Sequence, residues 1–334
     1  MRDWLVAADD RTGAFEVAGL LATVVGPVTV TVGTAPPGNG VVDLGSRALS
    51  PADASARAAA VDGNSSAWTA HKIDSTLRGN WAAELLARHT VCGRRIVVLP
   101  GWPELGRTCV DGVVRVHDVP IARPADALPN AGSIAGVAAL REWLAGNARI
   151  AVCDVPDTDT MHALAAELVG SQVLIAGPGG PIGATFAAHI GASRALSSPT
   201  LGGAIAVICG SANPVSHEQL RRLSIARPDI AVMSVPSTDG ALDPELATAV
   251  AQRAVERITH ARPDTIIVIG GDTAAALLGE APRSVGGFVA PGMPWSRDNN
   301  GEGPLVVTKA GGFGGPDALV DLLRGGTAPM EDSV

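Results

Sequence analysis

The stretch Trp4-Leu5-Val6-Ala7-Ala8-Asp9-Asp10-Arg11-Thr12-Gly13-Ala14 sets the pattern for the whole chain. An apolar run over 4–8 ends on two carboxylates, and an apolar helix opens at about residue 14 and runs to about 22. An uninterrupted apolar run of strand length suits a parallel strand buried on both faces. The same strand-then-helix unit recurs to the end of the chain, which predicts an α/β fold with mostly parallel sheets flanked by helices. Further strands are expected at 28–32, 40–44, 67–73, 95–99, 148–152 and 172–176, then at 204–209, 229–235, 265–269 and 305–308. Helices are expected at 51–61, after Asn80 as a cap, at 132–145 and 158–168, after Pro214, at 244–261 and after Pro316. A chain of 334 residues exceeds one ordinary core. The small, polar, turn-rich segment 191–203 divides it into two expected domains, 1–200 and 201–334, each a mostly parallel sheet flanked by helices.

Composition excludes several classes. Hydrophobic residues make up 46% and charged residues 17%, and the mean hydropathy is +0.25. No apolar run approaches the roughly 18 residues of a membrane span. The net charge of -8 comes with no basic stripe, which disfavours nucleic acid as a partner. The cysteines, Cys92, Cys109, Cys153 and Cys209, stand singly without metal-ligand spacing. The first residues lead straight into a strand with no signal-like apolar region, so a cytoplasmic protein is expected. A homo-oligomer is left open. Of the 25 basic residues only Lys72 and Lys309 are lysines. A compact ammonium kept where arginine is the habit points to a site that wants a point charge, although two ordinary surface lysines explain composition equally well.

The second half places three glycine-rich turns after apolar strands: Gly210-Ser211-Ala212-Asn213, Gly270-Gly271-Asp272-Thr273 and Lys309-Ala310-Gly311-Gly312-Phe313-Gly314. In an open parallel sheet such turns gather at the carboxyl edge, where ligands bind. Helix N-termini there suit phosphate, and glycine lets the backbone come close. Lys309 can reach a phosphate as a point charge, and Asp272 or Thr273 can help hold magnesium. No GxxxxGK[ST] is present. The run Gly177-Pro178-Gly179-Gly180-Pro181-Ile182-Gly183 invites a dinucleotide reading, but position 182 is not glycine and no acid ends the next strand; a tight structural turn is preferred.

The first half carries clusters of another kind. Asp9 and Asp10 end the first strand, with Asp10 equally suited to cap the helix that follows. Lys72-Ile73-Asp74-Ser75-Thr76-Leu77-Arg78-Gly79-Asn80 packs two cations, two hydroxyls and a carboxylate into one strand-to-helix turn. That density suits an anionic, hydroxylated ligand better than a plain loop, and an arginine such as Arg78 can grip a carboxylate with two parallel bonds. Asp43, Ser46 and Arg47 follow another strand, and Gly106-Arg107-Thr108 forms a further polar loop.

Together these motifs resemble the four-carbon acid sugar kinase family over nearly the whole chain. The 8–14 segment is similar to ADDLTGA, 72–79 to KTDSTLRG and 309–314 to KSGNFG. Gly106-Arg107-Thr108, Gly210-Ser211 with Pro214, Gly270 to Thr273, and Pro291-Gly292-Met293-Pro294-Trp295 also fit. The resemblance implies a sugar-acid-binding N-terminal domain, a nucleotide-binding C-terminal domain, ATP with Mg2+, and phosphorylation of an acid such as threonate, erythronate or a 3-oxo-tetronate. It implies substrate contacts from Asp9, Asp10, Asp43, Arg47, Lys72, Asp74, Ser75, Arg78 and Arg107. Lys72 is expected among the catalytic groups, and Asp10 or Asp74 as the group that takes or orients the hydroxyl proton. Gly210, Ser211, Gly270, Gly271, Asp272, Thr273, Lys309, Gly311, Gly312 and Gly314 would hold the nucleotide. Three positions depart from the family pattern: Arg11 replaces Leu, Gly45 an acid or amide, and Gly312 an Asn. They leave open a protein that binds a sugar acid or nucleotide without turnover; a sugar-acid oxidoreductase using the Gly177 turn is the more distant alternative.

Overall fold

The structure, a computed structural model, describes residues 2–61, 66–191, 198–235, 249, 252–254, 256 and 262–324. The chain divides into two compact units, Met1–Arg194 and Ala195–Val334. No helix among the described residues is long and apolar enough to cross a membrane.

In the first unit the strands are β1 (Arg2–Ala8), β2 (Val28–Val32), β3 (Gly40–Asp43), β4 (Ser66–Lys72), β5 (Arg95–Val98), β6 (Arg107–Val110), β7 (Val113–Val116), β8 (Val119–Ala122), β9 (Gly132–Ile134), β10 (Ile150–Cys153) and β11 (Val173–Gly177). The helices are α1 (Arg11–Val25), α2 (Pro51–Ala60), α3 (Trp81–Cys92), α4 (Gly136–Ala145), α5 (Thr158–Glu167) and α6 (Gly179–Ile190). The main sheet runs β2-β3-β1-β4-β11-β5-β10-β9, and its pairings are parallel. From β1 the chain goes to one side for β2 and β3 and to the other for β4 onward. Beyond the carboxyl ends of strands that part in this way, an open α/β sheet forms its ligand crevice. Ala8 is in register with Asp43 on one side and Lys72 on the other, so the loops leaving β1, β3 and β4 start at one level.

Helices cover both faces. Leu5, Ala7 and Val42 pack with Ala58 of α2 on one face. On the other, neighbouring Trp4 and Trp68 meet Phe186 of α6 edge-on, with centroids 5.0 and 5.2 Å apart. Helices α1, α6, α5 and α4 lie side by side in one row, and α2 pairs with α3. The glycines of 177–183 serve this packing. A Cβ on Gly177 would lie 2.5 Å from the Leu99 carbonyl oxygen, and one on Gly180 would overlap the Trp102 indole. The turn is filled by protein, as expected of a structural turn. Because Leu99 presents backbone in mid-sheet, Gly177→Ala should cost about 1–3 kcal/mol, read as a lower denaturant midpoint. A midpoint equal to that of the unsubstituted protein would show that the sheet gives way freely there.

Three expectations need correction. Residues 132–134 form the edge strand β9 rather than the first turn of a helix, and α4 begins only at Gly136. The region after Gly106 is a separate three-stranded antiparallel sheet, β6-β7-β8, not an open loop. Asn80 sits where a cap of α3 would be, but its Nδ2 donates to the Ser46 and Leu49 carbonyls at 3.1 and 2.9 Å.

The second unit holds β12 (Ile205–Cys209), α7 (Pro214–Ala226), β13 (Ala231–Ser234), β14 (Thr265–Ile269), α8 (Gly271–Leu278), β15 (Arg283–Ala290), β16 (Met293–Asp298), β17 (Leu305–Lys309) and α9 (Ala318–Leu323). Strands β13, β12, β14 and β17 are parallel, and β16 and β15 extend them as an antiparallel hairpin that the sequence reading did not anticipate. The helix expected at 244–261 lies almost wholly outside the described residues. Cys209, Ile269 and Lys309 are in register, which puts the three glycine turns side by side at one sheet edge.

Candidate active site

In the first unit the crevice beyond β1, β3 and β4 is built from interlocked charges. Asp10 caps α1, accepting from the Gly13 N–H at 2.8 Å and the Thr12 hydroxyl at 2.7 Å. Arg47 bridges both neighbouring carboxylates. Its Nε and Nη2 meet the two oxygens of Asp9 at 2.8 and 2.9 Å, and its Nη1 meets Asp10 at 2.8 Å. Its Nη2 also lies 3.6 Å from Asp74. Asp74 accepts from Arg78 Nε and Nη2 at 3.0 and 2.7 Å and from the Thr76 N–H and hydroxyl at 3.0 and 2.5 Å. The fork of Arg78 thus grips a carboxylate of its own chain, and the rest of that side chain is exposed. Lys72 is buried at the end of β4, with Nζ 3.6 Å from Glu16 Oε2 of α1. Gly13 is needed beside it, since a Cβ there would stand 2.6 Å from both Lys72 Nζ and Asp10 Oδ1. Ser75 is half-buried in the same turn.

Two expected ligand residues are placed differently. Asp43 is taken up inside the protein by Arg11 Nε at 2.7 Å and the Gly45 N–H at 2.9 Å. Arg11, the departure from the family's Leu, therefore neutralises a buried carboxylate. Arg107 starts β6, donates to the Leu105 carbonyl, and keeps its Nε buried without an acceptor among the described residues. No bond among the described residues joins it to the Asp9–Asp74 cluster.

Burial and neighbours set the charges. Burial works to raise the Asp74 carboxyl, but hydrogen bonds from Arg78 and Thr76 hold it well below the usual range. Asp10 is also held low: burial opposes its ionisation, but Lys72 and Arg47 prevail. Burial pushes Asp9 and Glu16 up, with Lys72 as the main opposing charge. Lys72 itself is raised, because Glu16, Asp10 and Asp9 outweigh the cost of burying its ammonium.

A second polar layer lies behind this cluster. Arg88, fully buried on α3, donates to the Ala70 carbonyl and the Thr69 hydroxyl at 2.7 Å each, and its Nη1 lies 3.4 Å from His71 Nδ1. That donor assigns the ring proton to Nε2, which lies 2.9 Å from Glu84 Oε2. Asn80, at the head of the same helix, holds the loop that carries Arg47.

In the second unit the three turns form one cradle. A Cβ on Gly210 would run into the Thr273 hydroxyl, and one on Gly311 into that of Ser211. Gly270 and Gly314 adopt φ of 110° and 83°, which favours glycine there. Gly271 opens α8, and Gly312 faces Asn213, whose Nδ2 would lie 3.0 Å from a Cβ at that position. Lys309 is buried, donating to the Ala310 and Gly311 carbonyls at 3.0 and 3.3 Å. Burial lowers its ammonium to about 8. Thr273 Oγ1 is buried with no partner among the described residues. A buried ammonium without a carboxylate partner among the described residues and an orphaned hydroxyl, set among close-packed glycines, fit a polyphosphate. Asp272 is exposed at the first turn of α8, where it can meet a metal ion held mainly by phosphate oxygens.

Sequence reading missed the side chains that hold this cradle. Ser216 donates to the Gly311 carbonyl, and Gln219 Nε2 to the carbonyls of Phe313, Gly314 and Gly315 at 3.0, 3.2 and 2.8 Å. His217 Nε2 lies 2.9 Å from the Ser211 carbonyl. The available signal was polar residues on an apolar stripe, since Ser216 and Gln219 share the buried face of α7 with Leu220 and Leu223.

Residues 4–128 match the sugar-binding N-terminal domain family, and residues 243–319 match the nucleotide-binding C-terminal domain family. A D-threonate kinase of Cupriavidus necator is 31% identical, covering 95% of this chain and 96% of its own. The chain belongs to the four-carbon acid sugar kinase family. Another relative of this sugar-acid kinase family, a D-threonate kinase of Bordetella bronchiseptica, is 26% identical over 75% of each chain. A D-erythronate kinase of Heliobacterium modesticaldum is 35% identical over 36% of this chain and 31% of its own. The fold is shared with a solved Salmonella typhimurium LT2 protein at a TM-score of 0.77 and 20% identity, covering 97% and 99% of the two chains. A Haemophilus influenzae protein follows at 0.71 and 19%, covering 96% and 99%.

Proposed function

We propose that this protein uses ATP to phosphorylate a hydroxyl of a four-carbon sugar acid, with threonate as the first acid to test. The observation that carries the reading is the near full-length match to a D-threonate kinase, together with the charge cluster that Lys72 to Gly79 builds beside Asp9 and Asp10. In this reading the unit ending at Arg194 takes the acid, and the unit beginning at Ala195 takes the nucleotide. The outer edge of Arg78 faces the acid's negative charge, and Lys72, Ser75 and Asp10 meet its hydroxyls. Arg47 fixes the carboxylates around it rather than gripping substrate. Ser211, Thr273, Lys309 and the glycines from 210 to 314 cradle the phosphates. Magnesium, when bound, neutralises phosphate charge, and Asp272 is the residue of this chain that would hold it. The protein supplies mainly position and charge, as phosphoryl transfer requires.

The test is coupled ADP release with Mg-ATP against D- and L-threonate, D-erythronate and their 3-oxo forms. Turnover with at least one acid supports the reading; ATP binding with no turnover across the panel contradicts it and favours a binding protein.

The nucleotide half makes its own prediction. Burial brings the Lys309 ammonium down to about 8, so it is mostly charged below that pH and loses its proton above it. ATP affinity should therefore fall between pH 7 and 9.5, by up to about tenfold per unit above the midpoint. Lys309→Arg should flatten this dependence, because guanidinium stays charged. A pH-independent Kd in the unsubstituted protein would remove Lys309 from the phosphate site.

A further inference from the structure

Among the described residues, Asp9, Asp10, Asp43, Asp74 and Glu16 lie around the ends of β1, β3 and β4, and the first four already have their oxygens occupied. Asp9 is bonded through both oxygens to Arg47, and its side chain is 0% exposed. Asp43 is closed off by Arg11 and Gly45. Asp74 holds Arg78 and Thr76, and Asp10 holds Arg47, Thr12 and Gly13. A carboxylate whose lone pairs are filled by strong donors is a poor proton acceptor. The groups expected to take the proton, Asp10 and Asp74, are both in this condition.

Glu16 differs in each respect. It is the acidic residue of α1, on a helix otherwise apolar from Ala14 to Val25 except for Thr23. Its side chain is 25% exposed, more than those of the other four. Among the described residues its one ion-pair partner is Lys72, at 3.6 Å. That separation is too long for a direct hydrogen bond, yet a single oxygen can lie about 2.8 Å from both atoms. A hydroxyl oxygen placed there would accept a hydrogen bond from the ammonium of Lys72 and donate one to Glu16. The groups that face Glu16 are Lys72 from β4, Asp10 from the turn after β1 and Asp74 from the turn after β4; the backbone of Gly179 closes the α6 side.

We propose that Glu16 is the catalytic base, receiving the proton of the acceptor hydroxyl while Lys72 steadies that oxygen. This rests on the kinase reading above. The substrate O–H bond breaks and its proton moves to the Glu16 carboxylate. The oxygen's electron pair forms the new bond to the γ-phosphorus, and the bond from that phosphorus to the β-phosphate bridge breaks, its electrons leaving with ADP. Burial, which pushes the Glu16 carboxyl up, brings its basicity nearer to that of a useful acceptor at neutral pH.

The experiment is the kcat–pH profile, from pH 5 to 9, of the unsubstituted protein, Glu16→Gln and Glu16→Asp, with thermal unfolding and ATP Kd measured on each. The unsubstituted protein should lose kcat towards acid as Glu16 gains its proton. Glu16→Gln should lose at least about 100-fold in kcat at pH 7, with ATP Kd and KM for the acid within about threefold and the acidic limb gone. Glu16→Asp, whose acceptor is withdrawn by one methylene, should lose at least about tenfold and keep the acidic limb. Glu16→Gln within threefold of the unsubstituted kcat, or inactive with the acidic limb unchanged, overturns the proposal. Should the Gln variant not fold, an Asp variant with undiminished kcat does the same. An unsubstituted protein that turns over no four-carbon acid overturns the kinase reading itself, and shows it before any substitution is made.

Discussion

Arg47→Met should cost the first unit about 3–5 kcal/mol at neutral pH. Three carboxylates converge on this guanidinium, and Asp9 is bonded to it through both oxygens in a fully enclosed position. Methionine fills much of the volume but leaves those charges without their partner. The pH dependence gives the sign. Asp10 is held below its unfolded value, so the stability it contributes is present above that value and fades as pH falls through the carboxylate range. The deficit of the variant should therefore be largest near pH 7 and shrink towards pH 3.5. Denaturant unfolding at both pH values reads it directly. A loss below about 1 kcal/mol at pH 7 would mean that Arg47 is an ordinary surface ion pair and that its interior role is misassigned.

Lys72→Met should abolish turnover, by at least about 100-fold in kcat, and leave ATP Kd nearly unchanged. The ammonium stands among Glu16, Asp10 and Asp9, and no other cation of the cluster approaches Glu16 among the described contacts. Without it the acceptor hydroxyl loses its donor, and Glu16 becomes harder to ionise. Coupled ADP release against ATP titration separates the effects. Loss of ATP binding in a folded variant would contradict the assignment of the two units. Retained kcat would contradict the placement of the acid beside Lys72.

The parallel strands were legible because burial on both faces leaves unbroken apolar runs, as in β12, β14 and β17. The β6-β7-β8 sheet was not, because β8 is exposed along its whole length and carries no apolar alternation to read. The β15–β16 hairpin hides behind a register shift between Val285 and Gly287. At the site, register did the predictive work. Residues that close β1, β3 and β4 fall together because Ala8 aligns with both Asp43 and Lys72. Which charge meets which is set by tertiary placement, so Arg78 and Arg47 looked open in sequence and are engaged in the fold. Glu16, Ser216 and Gln219 were hidden because a polar residue on an apolar helix face reads as noise until the helix is docked.

Both lysines of this chain are buried at strand ends, one in each unit, at 5% and 1% exposure. Side-chain amine chemistry in this protein is therefore confined to these two strand ends. An amine-selective reagent has only these two side-chain amines to modify, and each reports separately on its own unit. Peptide mapping after brief labelling thus becomes an occupancy meter for the proposed function: on that reading, protection at residue 309 should follow the nucleotide and protection at residue 72 the acid, and neither measurement requires the reaction to run.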